Sequence, residues 1–273
     1  MSHSHAFAGY PVGTGEKLLV ILGPCVIESE ESVLRHARRV KEATAEFPVN
    51  VVFKASFDKA NRTALSSFRG PGPVEGARML ARARTETGLP VLTDVHDVSQ
   101  PSLVGPHVDA LQIPAFLCRQ TDLIAEAARH GRSVNVKKGQ FVAPEDMRHA
   151  VAKAKAAGAT SLMLTERGNA FGYHNLVVDF RGLQTMRAFA PVCFDATHSV
   201  QRPSAGDGVT GGDRTLAPVL ARAAAAVGID ALFAEVHETP DAALSDGPNS
   251  LTFELLHRML SEVSAIRAAL GQR

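Results

Sequence analysis

The stretch VVFKASFDKANRTALSSFR, residues 51–69, sets the terms for the chain. Val51, Val52 and Phe53 read as a short strand buried on both faces. That strand runs straight into four cationic side chains, Lys54, Lys59, Arg62 and Arg69, offset only by Asp58. Asn61 and Thr63 set neutral hydrogen-bonding groups among them. In isolation a charge run is a solvated loop. A strand that delivers cations at its end suggests a site for a phosphate or carboxylate, provided the surrounding architecture repeats the same unit.

The unit does repeat. Upstream, the apolar run 18–22 enters Gly23-Pro24-Cys25 and is followed by a helical pattern with Val33, Ala37, Val40 and Thr44 on one face. After 51–53 comes a helix over about 73–87. Strand 90–92 precedes Asp94 and a short helix near 99–104, strand 110–113 a helix over about 121–129, and strand 133–136 a helix opening at Pro144. Strand 161–164 leads to a short helix over 182–188. Strand 191–194 leads to a helix whose Leu216, Val219, Leu220 and Ala223 share a face, and strand 231–234 to a closing helix with Leu255, Met259, Val263 and Ile266 aligned. Eight strand-then-helix units, with strands apolar on both faces, predict an α/β chain folded as one (β/α)8 TIM barrel over 17–273, behind an N-terminal extension at 1–16. A doubly wound open sheet is the alternative. The barrel is preferred because every unit ends in a chemically capable residue, and these strand ends converge in that fold.

Composition narrows the function. Lysine and arginine number 29 against 28 aspartates and glutamates, which gives no basic stripe for nucleic acid and no attraction to anionic lipid, so any cationic site is local. Cys25, Cys118 and Cys193 lack paired spacing, the N-terminus lacks a signal-peptide pattern, and no apolar run reaches spanning length; together these predict a cytoplasmic protein that does not enter the membrane. His3 and His5 read as a frayed tail.

In a closed barrel the first, seventh and eighth strands are neighbours, so Cys25, His198 and Glu235 face one space, and Asp246 can fold back from the following loop. A thiolate, an imidazole and two carboxylates suit a divalent transition metal, with zinc, iron and manganese all compatible. Each also has a plain role: Cys25 as a small buried hydrophobe, His198 as a satisfied polar group, the carboxylates as loop or cap residues. Lys54, Lys137 and Arg167 point into the same mouth with Lys59 reaching in, an arrangement that calls for an anion between them. Arg62 and Thr63, farther out, suit a second phosphate. The glycines of SAGDGVTGGDR, 204–214, suggest a mobile cover, with a plain flexible loop as the alternative.

At GPCVIES, FKASFDKANR, RGPG, TDVHD, LQIPAFLCRQTDL, NVKKGQF, TERG, DATHSVQ, AEVHE and SDGPN the chain closely resembles the 3-deoxy-D-manno-octulosonate 8-phosphate synthases. That family condenses phosphoenolpyruvate with arabinose 5-phosphate in lipopolysaccharide biosynthesis. The resemblance covers nearly the whole chain and implies a (β/α)8 barrel and a homotetramer. It implies that Lys54, Ser56, Lys59, Gln112, Ala115, Lys137 and Arg167 hold phosphoenolpyruvate, and that Asn61, Arg62, Thr63 and Asp94 hold the sugar phosphate. Cysteine after Gly-Pro marks the metal-dependent class, with Cys25, His198, Glu235 and Asp246 as ligands, and Lys59 is a candidate proton donor. Thr63 stands where serine is usual and His174 where asparagine is usual. The nearest rival is the related synthase that uses erythrose 4-phosphate, against which KANR speaks; a barrel that binds an anion without turnover is the other.

Overall fold

The computed structural model describes residues 5–61, 65–203 and 211–272. Eight parallel strands close into a barrel: β1 (Leu18–Gly23), β2 (Val49–Lys54), β3 (Val91–Asp94), β4 (Ala110–Ile113), β5 (Val134–Lys137), β6 (Leu162–Glu166), β7 (Val192–Asp195) and β8 (Ala231–Glu235). Each strand pairs with the next in sequence, and β8 pairs with β1 through Ala231↔Leu19 to Glu235↔Gly23. Closure excludes the open sheet and makes β7, β8 and β1 consecutive. Helices α1 (Glu30–Thr44), α2 (Pro73–Thr87), α3 (Gln100–Val104), α4 (Thr121–His130), α5 (Met147–Ala156), α6 (Arg181–Arg187), α7 (Ala217–Val227) and α8 (Phe253–Ala269) surround it.

Side chains alternate across each strand, and here the alternation divides two cores. Leu19, Ile21, Val52, Leu92, Met163 and Phe233 pack inside the barrel, while Leu18, Val20, Leu22, Val51, Phe53 and Leu164 pack outward against the helices. The inward parity then carries on to the strand ends. Lys54 shares a face with Val52, Asp94 with Leu92, Gln112 with Ala110, Asp195 with Cys193 and Glu235 with Phe233. The mouth of the barrel is polar because its last inward positions are polar.

The other end is closed by a hairpin, His5–Phe7 against Tyr10–Val12, whose Phe7 and Val12 bury into the inner core. Ala8 (φ 49°) and Gly9 (φ 87°) form its two-residue turn with positive φ at both positions. The Ala8 amide donates to Ser133 Oγ at 2.9 Å. His5 is therefore an exposed strand residue and not a frayed tail, because backbone pairing with Val12 fixes it; His3 lies outside the described residues.

Two helix faces differ from the sequence pattern. On α7 the buried side is Ala217, Pro218, Ala221, Ala224 and Ala225, while Leu216 and Val219 are exposed. Close packing on the barrel and α8 admits the small residues and turns the bulky ones out. On α8, Leu256 and Leu260 join Met259 and Val263 in the core, and Leu255 and Ile266 sit at its edge.

Candidate active site

The strand ends open into a cavity of roughly 690 Å3. Lys54, Lys59, Lys137 and Arg167 all line it, and all four are buried. Lys54 Nζ donates to the Cys25 carbonyl at 3.0 Å and lies 3.4 Å from Glu235 Oε1 and 3.9 Å from Asp94 Oδ1. Lys59 reaches in from the loop after β2, its Nζ 3.8 Å from Glu235 Oε1. The base of that loop is closed by the Lys59 amide on the Arg69 carbonyl and by the Arg69–Asp58 ion pair, which gives Arg69 a structural place. Lys137 Nζ sits 2.5 Å from Asp195 Oδ2 and 3.8 Å over the Phe233 ring.

These carboxylates correct the expectation that the clustered cations need an external anion to balance them. Lys54 and Lys137 already have buried carboxylate partners, since a lysine taken out of water is tolerable only when paired. Arg167 is different. Its Nη2 donates to the His198 carbonyl at 3.0 Å and to Gln201 Oε1 at 2.5 Å, and its buried Nε has no partner. Among the described residues it has no carboxylate within ion-pair distance; Asp195, Asp246, Glu166 and Glu235 act on its charge only from farther off, so it faces the cavity without a contact ion pair.

The charges reinforce one another. Burial alone would raise the Glu235 carboxyl, but His198, Lys54, Lys59 and Lys137 outweigh it and hold the pKa at about 2. Burial works against Asp195 in the same way, and His198 and Lys137 hold it well below the usual carboxylate range. Burial alone would strip the Lys59 proton; the carboxylates around it, Glu235, Asp94 and Asp246, oppose burial and keep Lys59 cationic.

On another wall Asp94 lines the cavity, its Oδ1 taking the Ser56 hydroxyl at 2.6 Å and its Oδ2 lying 3.1 Å from His96 Nε2. Ser56 is thus placed behind Asp94, with its hydroxyl committed there. Gln112 gives its Oε1 to Asn135, which leaves its NH2 donors to turn toward the cavity. Ala115 and Asn61 also line it. Arg62, Thr63 and residues 204–210 of the glycine-rich loop lie outside the described residues; Gly211 and Gly212 pair with Gln201 and Arg202.

A match to the DAHP synthetase I family extends over residues 5–270. The chain belongs to that family. It is 56% identical over 259 residues to a 2-dehydro-3-deoxyphosphooctonate aldolase of Desulfatibacillum aliphaticivorans, covering 94% of this chain and 95% of that one. A protein of the same name from Koribacter versatilis is 57% identical over 258 residues, 93% of each chain. Another from Trichlorobacter lovleyi is 49% identical over 269 residues, 98% of this chain and 99% of that one.

For a member of the DAHP synthetase I family, the donor set beside the cavity is suited to a divalent metal. Ligand atoms of Cys25, Glu235 and Asp246 lie within 4.8 Å of one another. Cys25 Sγ is 3.3 Å from Asp246 Oδ2 and 3.1 Å from Ser245 Oγ. Burial, with Glu235 beside it, raises the Cys25 pKa and keeps the thiol protonated unless a cation takes the proton's place. Glu235 Oε2 is buried without a hydrogen-bond partner, and Asp246 holds a left-handed backbone (φ 48°) rare for a non-glycine residue. His198 stands beside this set and not within it: Nδ1 is 2.8 Å from Asp195 Oδ2, and Nε2 is 3.6 Å from Glu235 Oε1.

Asp195 was missed as a site residue, although it organises both Lys137 and His198 and also accepts the His198 amide at 2.9 Å. Its parity with Cys193 at the end of an apolar strand was the available signal. His96, Gln201 and Ser245 carried none, because they sit on loops whose direction no periodicity gives.

Proposed function

We infer that this chain condenses phosphoenolpyruvate with D-arabinose 5-phosphate and water to give 3-deoxy-D-manno-octulosonate 8-phosphate and inorganic phosphate. A phosphooctonate with a 2-keto and a 3-deoxy carbon is the sum of a three-carbon enolpyruvyl unit and a five-carbon sugar phosphate. That arithmetic disfavours erythrose 4-phosphate, which would give seven carbons. The observation that carries the assignment is the cavity itself: four buried cations, Arg167 among them without a contact ion pair, in a chain matched over nearly its full length by proteins of that name.

On this reading Arg167, Lys137 and Lys54 orient the phosphate and carboxylate of phosphoenolpyruvate with its C3 toward the sugar aldehyde, and positioning of two bound reactants supplies much of the rate. The C3 electron pair forms the new carbon–carbon bond, C2 becomes electron-poor, water adds there, and phosphate leaves from the resulting tetrahedral centre. Carboxylates facing the cavity favour positive charge at C2. Lys59, held cationic, donates a proton to the aldehyde oxygen as that bond forms. Asp94 and Asn61 take the sugar hydroxyls. Cys25, Glu235 and Asp246 would hold a divalent ion, with His198 the neighbouring donor able to complete the set, and the ion would supply Lewis acidity at the mouth.

Residues 17–273 form the catalytic barrel and 1–16 an N-terminal extension, of which the hairpin 5–12 closes the far end, in a cytoplasmic enzyme. Phe116, Phe141, Phe171 and Tyr173 are exposed on successive loops at the mouth, an apolar rim that suits contact between copies; the homotetramer rests on the resemblance, and light scattering at micromolar concentration measures the assembly. Phosphate release from phosphoenolpyruvate with each sugar phosphate, before and after chelation, tests the function. Turnover with arabinose 5-phosphate only, lost on chelation and restored by a divalent ion, is expected; turnover with erythrose 4-phosphate alone would overturn it, and no turnover with either would favour an anion binder.

A further inference from the structure

Two charged residues adjacent to the site face away from it. Lys138 follows Lys137, and Glu166 precedes Arg167; by the strand alternation both point out of the barrel, into the layer beneath the helices, where both are fully buried. Lys138 Nζ lies 3.4 Å from Glu166 Oε1. An outward-facing buried ion pair is a poor source of stability, because an apolar pair of similar volume would serve as well without the desolvation cost. Its hydrogen bonds show what an apolar pair could not do. Glu166 Oε1 accepts the Arg167 amide at 2.9 Å and the Gly168 amide at 2.6 Å, capping the turn with which the chain leaves β6, where Gly168 has φ 92°. Lys138 Nζ also donates to Asn169 Oδ1 at 2.7 Å and to the Gly139 carbonyl at 3.2 Å, which ties the turn after β6 to the turn after β5.

We propose that Lys138 and Glu166 are positioning residues for the anionic substrate: Glu166 fixes the backbone that carries Arg167, and Lys138 fixes Glu166 while joining that turn to the one behind Lys137. The proposal rests on the assignment of phosphoenolpyruvate as the anion. Arg167 is held at one end by His198 and Gln201, and its backbone by Glu166, so the guanidinium meets the cavity in a set direction with no carboxylate in contact with it among the described residues. Pre-set direction is what a bidentate cation needs to bind a phosphate or carboxylate well.

The test compares two charge-balanced variants of the full chain. Lys138→Met/Glu166→Gln keeps a carbonyl oxygen for the two amides; Lys138→Met/Glu166→Leu removes it at nearly the same volume. Binding of phosphoenolpyruvate by calorimetry should weaken at least about tenfold in the leucine variant relative to the glutamine variant. Turnover at saturating phosphoenolpyruvate should stay within about threefold, and the KM for arabinose 5-phosphate should be unchanged, a split that general loosening of the fold would not produce. Equal phosphoenolpyruvate affinity in the two folded variants overturns the proposal. If the leucine variant does not fold, the glutamine variant decides, because it also lacks the Lys138 tether: a loss of phosphoenolpyruvate affinity of at least about threefold from wild type, with turnover at saturation kept, supports the proposal, and affinity within threefold of wild type overturns it. A wild-type chain that neither binds phosphoenolpyruvate nor releases phosphate would instead remove the functional assignment beneath it.

Discussion

Arg167 and Lys137 both face the cavity, but only Lys137 stands in a contact ion pair. Replacing Lys137 with methionine leaves Asp195 in the interior with His198 as its remaining charged partner, and breaking a buried pair by removing one side costs up to about 3–5 kcal/mol. Replacing Arg167 with methionine strands no carboxylate; it frees the His198 carbonyl and the Gln201 amide, a loss of about 1–2 kcal/mol. Arg167→Met should therefore lower kcat/KM for phosphoenolpyruvate by roughly 100-fold or more with little change in urea midpoint, while Lys137→Met lowers both. A comparable stability loss in the two variants would show that Arg167 has a buried counter-charge after all. The site carboxylates set the acid limit. Glu235 titrates at about 2 in the folded chain against an ordinary value of 4.5, and Asp94 and Asp195 are also depressed. A depressed carboxylate gives stability that is complete above its unfolded pKa and lost as pH falls toward its folded one. Urea midpoints should be level from pH 7 to 5 and fall steeply from about pH 4.5 toward 2; a midpoint unchanged at pH 3 would show that these groups are not charged when folded. In the sequence, residue types and strand ends were legible, but their pairings were not: Lys137 was read as awaiting a substrate anion because nothing local announces that Asp195, 58 residues later, lies beside it.

Between strands, the backbone at the mouth leaves no room for error. Gly23 ends β1 with φ 152°, and a Cβ there would lie 2.1 Å from the Lys54 carbonyl oxygen. That contact is backbone on backbone, so neither partner can swing aside. Gly23→Ala should cost about 2–4 kcal/mol through overpacking and backbone strain and should displace Lys54 from Glu235. Loss of turnover together with a lowered melting temperature is the expected pair; normal turnover in a destabilised protein would show that β2 can shift without moving Lys54. Helix positions were readable from apolar periodicity, and α2 runs over the predicted 73–87. Which face of α7 is buried was not, because periodicity marks bulky apolar residues as core. Tight helix packing selected alanine instead and left Leu216 and Val219 outside.

At the scale of the molecule, the barrel separates what holds it together from what it does. Eight repeats of strand and helix were enough to predict closure, since alternation and count are properties of sequence; the hairpin at the far end was not predicted, because a three-residue strand carries almost no periodic signal. Phe7 at its tip side is fully buried among Leu19, Ile21 and the other inner residues, so it completes a core that the strands alone would leave open to water. In this fold chemistry sits at the C-terminal ends of the strands and stability at the other end. Phe7→Ala should therefore cost about 3–5 kcal/mol by opening a cavity. It should leave KM for both substrates unchanged at temperatures where the variant stays folded. Urea denaturation and phosphate release on the same preparation measure the two effects independently. A raised KM for phosphoenolpyruvate in a fully folded Phe7→Ala protein would mean that strain at the plug travels through the inner layer, from Ile21 and Phe233 to Lys137, and that the two ends of the barrel are mechanically one.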